Sequence, residues 1–147
     1  SWRRKAEAQA VREIIEQRFN DPSNSEWVIV GDLNDYTEID GTADRNHGLG
    51  PLVDDGFSVD LIKTRIADVT DRWTHFYASE DDYAQLDYIL VSPKLAQLNQ
   101  NAQVKMCRKG APYRADRYKN DRWPRVGYNR PKASDHCPVM VELNFEG

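Results

Sequence analysis

Apolar residues are in short supply in this chain. Only 39% of its 147 residues are hydrophobic and the mean hydropathy is −0.78, low for a globule that must cover its own core. No stretch approaches the roughly 18 consecutive apolar residues of a membrane-spanning helix, which excludes such a span from these residues. No charged segment followed by an apolar one opens the chain, so no secretory leader is expected within it, and the compartment stays open. Cysteine is nearly absent. Cys107 and Cys137 form neither a disulfide framework nor a cysteine-built metal pattern. Each sits in an apolar, strand-like context, where a buried free thiol is expected. Internal repeats, low-complexity tracts and linker-like segments are missing as well. The length fits one domain.

The charge is unevenly spread. The net charge is −4, yet from Arg108 to Lys132 nine Lys or Arg stand against only Asp116 and Asp121. A strongly basic segment inside an acidic chain is a local feature of the kind that meets polyanions. Aromatic residues interleave with the cations: Tyr113, Tyr118, Trp123 and Tyr128 among Arg114, Arg117, Arg122 and Arg125. Guanidinium and aromatic groups together suit phosphate contact and base stacking. They equally suit a loop tied to an acidic surface by ion pairs and cation–π contacts.

Patterning predicts a helix over residues 2–19, with Ala6, Ala10, Ile14 and Phe19 near one stripe beside Val11 and Ile15. The turn residues of 20–25 stop it. Strands are predicted over 27–31, 72–78, 84–91, 102–107 and 138–145, the second and third forming a hairpin through the acidic turn 79–82. Residues 35–50 read as loop, 51–56 as one helical turn capped by Gly56, and 58–66 as ambiguous. Pro93 to Leu98 starts with proline at a favourable position and reads as a short helix. Residues 108–133 form a long irregular loop. The expected class is α+β: one mixed, mainly antiparallel sheet with helices on one face.

Three motifs punctuate this pattern. Gly31-Asp32-Leu33-Asn34 follows the run Val28-Ile29-Val30. Gln85-Leu86-Asp87-Tyr88-Ile89-Leu90 lies in the middle. Ser134-Asp135-His136-Cys137-Pro138-Val139 precedes the last strand. Each sets acidic, amide or imidazole groups beside or inside a buried strand, where charge is costly unless paired. Such groups on separate strand ends read as one assembled site. Each also has an ordinary alternative. Asp32 and Asn34 suit a turn after a strand, Asp87 a half-exposed strand, and Asp135-His136 a surface turn. His47 and His75 have no motif around them and read as a loop and a strand-surface histidine.

In this order and spacing the motifs resemble those of the endonuclease/exonuclease/phosphatase superfamily, whose members cleave phosphate esters with a divalent metal. The resemblance runs over nearly the whole chain but only part of the family domain. It implies that residues 1–147 are the C-terminal half of a four-layer α/β sandwich, the N-terminal half supplying further metal ligands. By resemblance, Asp32 orients and deprotonates the attacking water, and Asn34 hydrogen-bonds to the phosphate or the water. His136 steadies the charge building on the phosphate, and Asp87 orients His136. Asp135 and Asp32 bind Mg2+ or Mn2+.

The basic loop, with Arg114, Arg117, Arg122, Trp123 and Arg125, then becomes the candidate substrate surface. A nuclease-type phosphodiesterase acting on nucleic acid is the leading reading. A phosphomonoesterase or phospholipid-head-group phosphodiesterase of the same superfamily shares the motifs. A non-catalytic half-domain is the third possibility. Little or no activity is expected of the chain alone, and its uncovered sheet face is expected to meet the missing half or a second copy.

Overall fold

A computed structural model describes residues 1–147. In chain order its helices are α1 (Trp2–Arg18), α2 (Gly50–Val53), α3 (Leu61–Arg65) and α4 (Pro93–Leu98). Its strands are β1 (Val28–Asp32), β2 (Glu38–Ile39), β3 (Thr42–Ala43), β4 (Val59–Asp60), β5 (His75–Tyr77), β6 (Asp82–Ala84), β7 (Asp87–Val91), β8 (Lys105–Met106) and β9 (Val139–Met140). The class is α+β. The strands do not form the single sheet that patterning predicts. They fall into one three-stranded sheet, β1-β7-β4, and three antiparallel pairs, β2-β3, β5-β6 and β8-β9.

The centre is the β1–β7 ladder, paired in antiparallel register from Val28↔Val91 to Asp32↔Asp87. Directly opposed residues share a face. Ile29, Leu90 and Tyr88 therefore point together into a cluster with Ala8, Leu49 and Leu52, under α1 and α2. Val28, Ile89 and Val91 point the other way, toward Leu61, Leu95, Val139, Val141 and Leu143. That second face is incompletely covered. Val30 is 68% exposed, and a groove of about 770 Å3 runs along it past Ile89, Val139, Val141 and Leu143.

Helix α1 starts where Ser1 Oγ accepts the Arg4 N–H and presents Ala8, Val11 and Ile15 to the core. The predicted stripe is corrected here: Ala6, Ala10 and Ile14 face solvent, Ile14 being 65% exposed. Both sets recur at helical spacing, so periodicity alone does not choose between them. Tertiary contact chooses. Arg12 donates to the Pro51 carbonyl and stacks over the Phe57 ring. A Cβ on Gly48 would lie 3.0 Å from Arg4 Cβ and from the Lys5 backbone nitrogen, so the glycine lets this loop close on the helix.

Three further segments differ from their patterns. Residues 35–50 contain the β2–β3 hairpin, turned by Asp40 and Gly41, both at positive φ. Asp-Gly is a strong hairpin dipeptide, and its flanking strands are simply too short to show alternation. Residues 84–91 are not one strand. Chain leaves the β5–β6 hairpin after Ala84 and enters the central sheet at Asp87. The corner is closed by Thr74, whose buried Oγ1 accepts the N–H groups of both Leu86 and Asp87 at 3.0 Å. Strands 102–107 and 138–145 shrink to β8 and β9, since beyond Met140 the closing segment is held by side chains such as Asn99, which bonds the Asn144 carbonyl and N–H.

Thr74 thus decides where one sheet ends and the next begins. Thr74→Val keeps the shape but leaves two backbone donors without their acceptor, at roughly 1–3 kcal/mol for each buried unsatisfied group. Urea unfolding is expected to show a loss of about 2 kcal/mol or more, with an unchanged m-value.

Candidate active site

Asp32 and Asp87 oppose each other on the last rung of the β1–β7 ladder. Like charges so placed repel, and a cation between them relieves the repulsion. His136 occupies that position. Its Nδ1 lies 2.7 Å from Asp87 Oδ2, and its Nε2 lies 3.7 Å from Asp32 Oδ2. One ligating atom from each of the three residues falls within 4.8 Å of the others. The carboxylates come from two paired strands, while the imidazole comes from a loop more than 40 residues later in the chain.

The loop is stitched to the free edge of β5. Cys137 N–H donates to the Thr74 carbonyl at 2.7 Å, Phe76 N–H donates to the Asp135 carbonyl at 3.0 Å, and His75 bridges His136. Phe76 and Cys137 are buried together with Trp73, Ala111 and Ala115. A slip of one residue would expose Phe76 and bury His75, so packing locks the register that delivers His136.

Asp87 is held at three points. Its N–H goes to Thr74, its carbonyl accepts from Gln85 Nε2 at 3.3 Å, and its carboxylate meets His136. Gln85 is itself seated on Asp60, with Nε2 3.1 Å from Oδ2. Burial raises the Asp60 carboxyl above the ordinary carboxylate value, against the hydrogen bonds that favour its charged form. Asp32 is oriented by Asn34, whose backbone N–H donates to Asp32 Oδ1 at 2.9 Å. Asn34 has a φ of 53°, a conformation asparagine tolerates, and it lies exposed beside the carboxylates.

Asp135 lies next to His136 in sequence but outside the three-residue cluster. Its carboxylate is 2.6 Å from the Lys132 ammonium, and that hydrogen bond holds it below the ordinary carboxylate value.

The candidate substrate residues of the basic loop divide. Arg114 donates twice to Asp81. Arg117 donates to both oxygens of Asp40 at 2.9 Å and stacks over Tyr83. Arg122 donates to the carbonyls of Ala111, Pro112, Ala115 and Tyr118, and stacks on Tyr113 and Tyr118. These three guanidinium groups hold the loop in shape. Trp123 is 51% exposed, beside Lys109, and it lines the same groove as Asp87 and His136. Arg125 is exposed. These two remain open to a ligand.

His75 is the residue that sequence reasoning passes over. Its ring centroid is 4.7 Å from that of His136, so it belongs to the site and not to a plain strand surface. Alternation in β5 puts it opposite the buried Phe76, but no sequence signal says that residue 136 meets that edge. His47, by contrast, braces its loop by accepting the Leu49 N–H.

The two imidazoles are pushed apart. Hydrogen bonding to Asp87 raises His136 above the ordinary 6.5, helped by the charges of Asp87, Asp32 and Asp135 and opposed by burial. Burial lowers His75 below 6.5, and the charge on His136 lowers it further. Stability from the protonated His136 is present below its unfolded-state pKa and is lost as pH rises through its folded-state value. Stability linked to neutral His75 has the opposite sign: it is present above the unfolded-state pKa and is lost as pH falls through the depressed folded-state value.

Comparison with family models, curated proteins and solved structures returned no match.

NMR titration of the imidazole protons is expected to resolve two histidines on opposite sides of 6.5, His136 above and His75 below. In Asp87→Asn the His136 midpoint is expected to fall toward the ordinary value. An unmoved midpoint would show that the 2.7 Å contact does not govern its protonation.

Proposed function

We propose that this chain carries the phosphate-handling half of a metal-dependent phosphoric ester hydrolase, in the manner of the endonuclease/exonuclease/phosphatase superfamily, with a nuclease-type phosphodiesterase as the leading form. The observation that supports it is His136 held between Asp87 and Asp32, with three separate chain segments delivering the groups. A protonated imidazole set beside carboxylates has the parts for phosphate-ester hydrolysis: a cationic donor for the phosphate oxygens and a base for water.

The roles follow from the contacts. Asp87 fixes the ring of His136 and favours its protonated form, so Nε2–H, on the side of Asp32, is the donor left for a phosphate oxygen. Asp32 keeps Oδ2 toward the centre, because Oδ1 is engaged by the Asn34 N–H, and serves as the base that aims and deprotonates water. The exposed amide of Asn34 is free to donate to a phosphate oxygen.

The donor chemistry fits a hard divalent cation, since Asp32 and Asp135 offer carboxylate oxygens of the kind Mg2+ and Mn2+ take. When bound, the ion neutralises phosphate charge and makes water a better nucleophile. Asp135 would first have to give up Lys132. Two carboxylates leave most of a six-oxygen shell to other donors, which the resemblance places in the other half of the domain. The same reading makes that half the cover for the groove beside Val30.

A second reading has its own support. Arg114, Arg117 and Arg122 are engaged within the chain, which leaves fewer of the loop's cations free for an extended polyanion. A phosphomonoesterase or a phospholipid-head-group phosphodiesterase needs to grip only one compact phosphate. No helix of the chain is long and apolar enough to cross a membrane.

Turnover assays of the 147-residue chain with Mg2+ or Mn2+, on DNA, RNA and bis(p-nitrophenyl) phosphate, are expected to show little or no hydrolysis. The complete domain is expected to be active and to lose at least about a hundredfold in His136→Ala or Asp32→Ala. Hydrolysis by the chain alone that vanishes in His136→Ala would overturn the half-domain reading. A complete domain that is inert on every phosphate ester would leave the non-catalytic alternative.

The exposed groove is also expected to drive self-association of the isolated chain. Val30→Glu places a charge in it and is expected to shift sedimentation velocity profiles toward monomer at equal concentration.

A further inference from the structure

We infer that His75 is a second ligand for the substrate phosphate, standing beside His136 on the same face of the strand edge. This rests on the phosphate-handling reading above and adds a residue that no motif contains.

The placement comes first. His75 and His136 oppose each other in an isolated antiparallel bridge, and directly opposed residues project to the same side. Their ring centroids are 4.7 Å apart at an interplanar angle of 55°. The bridge is not free to slide. Thr74 and Phe76, on either side of His75, are buried at 0% and 2% exposure, and the backbone bonds from Cys137 and Phe76 flank the bridge. His75 is therefore aimed at the site by the same register that aims His136.

His75 also differs from the other two histidines in its partners. The imidazole of His136 is engaged at Nδ1 by Asp87, and that of His47 accepts the Leu49 N–H. His75 makes no side-chain hydrogen bond in the chain, although its ring is half-buried. Its ring nitrogens keep access to solvent, so the N–H is open to whatever enters the site. A side chain that is rigidly placed, beside a cationic donor, and left with an unspent N–H is arranged to meet something that arrives. An oxyanion with several acceptor oxygens can take donors from both rings at once, as a phosphate ester does. Buttressing His136 by packing is the competing role, and it requires only a ring.

Two substitutions separate the roles. His75→Phe keeps the ring and removes the donor. His75→Gln keeps an N–H donor and removes the ring. Inorganic phosphate, in the presence of Mg2+, is titrated into the complete domain while the imidazole resonances of His75 and His136 are followed by NMR. Both are expected to move along one saturation curve. His75→Phe is expected to weaken phosphate about tenfold or more, the scale of one hydrogen bond to a charged group, with an unchanged thermal midpoint. His75→Gln is expected to retain most of the affinity. Phosphate that moves His136 alone, or that binds His75→Phe as tightly as the parent, would overturn the role of His75 and leave the phosphate site standing. Phosphate that moves neither histidine would overturn both.

Discussion

The antiparallel ladder between Val28–Asp32 and Asp87–Val91 carries two loads at once. Along most of its length it is an apolar wall, with Leu90 and Val91 fully buried. At its open end it sets Asp32 opposite Asp87, a like-charge pair that is unfavourable by itself. His136 answers that repulsion, and Asp87 in turn raises its proton affinity. The same rung that ends the hydrophobic core therefore starts the candidate site. Replacing His136 leaves the two carboxylates facing each other without compensation. The geometry favours the protonated form of His136.

Much of the remaining polar structure serves to keep that rung in place. Thr74 satisfies the two N–H groups at the corner before Asp87, Gln85 holds the Asp87 carbonyl, and Asp60 holds Gln85. Arg108, only 6% exposed, donates to the Trp73 and Asp71 carbonyls, bonds the Asp71 carboxylate and stacks on the Trp73 ring. It thereby ties the start of the basic loop to the strand that receives His136. Arg122 closes the loop upon itself through four carbonyls. A loop without helix or strand is in this way given a definite shape by two buried or half-buried guanidinium groups, each with donors enough to replace several missing backbone partners. Much of its positive charge, so prominent in the sequence, is spent on architecture, and Trp123 is the loop residue that lines the groove beside Asp87 and His136.

The two faces of the central sheet are unequal. One is sealed by α1, α2 and the Tyr88 ring, whose hydroxyl reaches the Asp35 carbonyl at 2.7 Å. The other keeps Val30 in the open, above a groove that runs on to Asp87 and His136. Apolar surface that borders a polar site favours whatever excludes water from it, and exclusion of water is also what strengthens the electrostatics of the site.

The sequence by itself determined the local events. Val28-Ile29-Val30 made a strand because β-branched residues fit a pleated, buried surface. A helical turn formed at Pro51, although it ended at Val53 and not at Gly56, and Ser92-Pro93 began a helix. The α+β class followed from helix-period and strand-period patterns side by side, and the three motifs contained Asp32, Asp87 and His136, which the fold brings together. Only the tertiary structure decided which edges meet. Periodicity is a property of one segment, whereas pairing depends on two segments and on the core packed around both. The inward stripe of α1, the split of residues 84–91 between two sheets, the internal use of Arg114, Arg117 and Arg122, and the presence of His75 beside His136 all depend on such meetings. No window of sequence, however clear its own pattern, contains the partner that settles them.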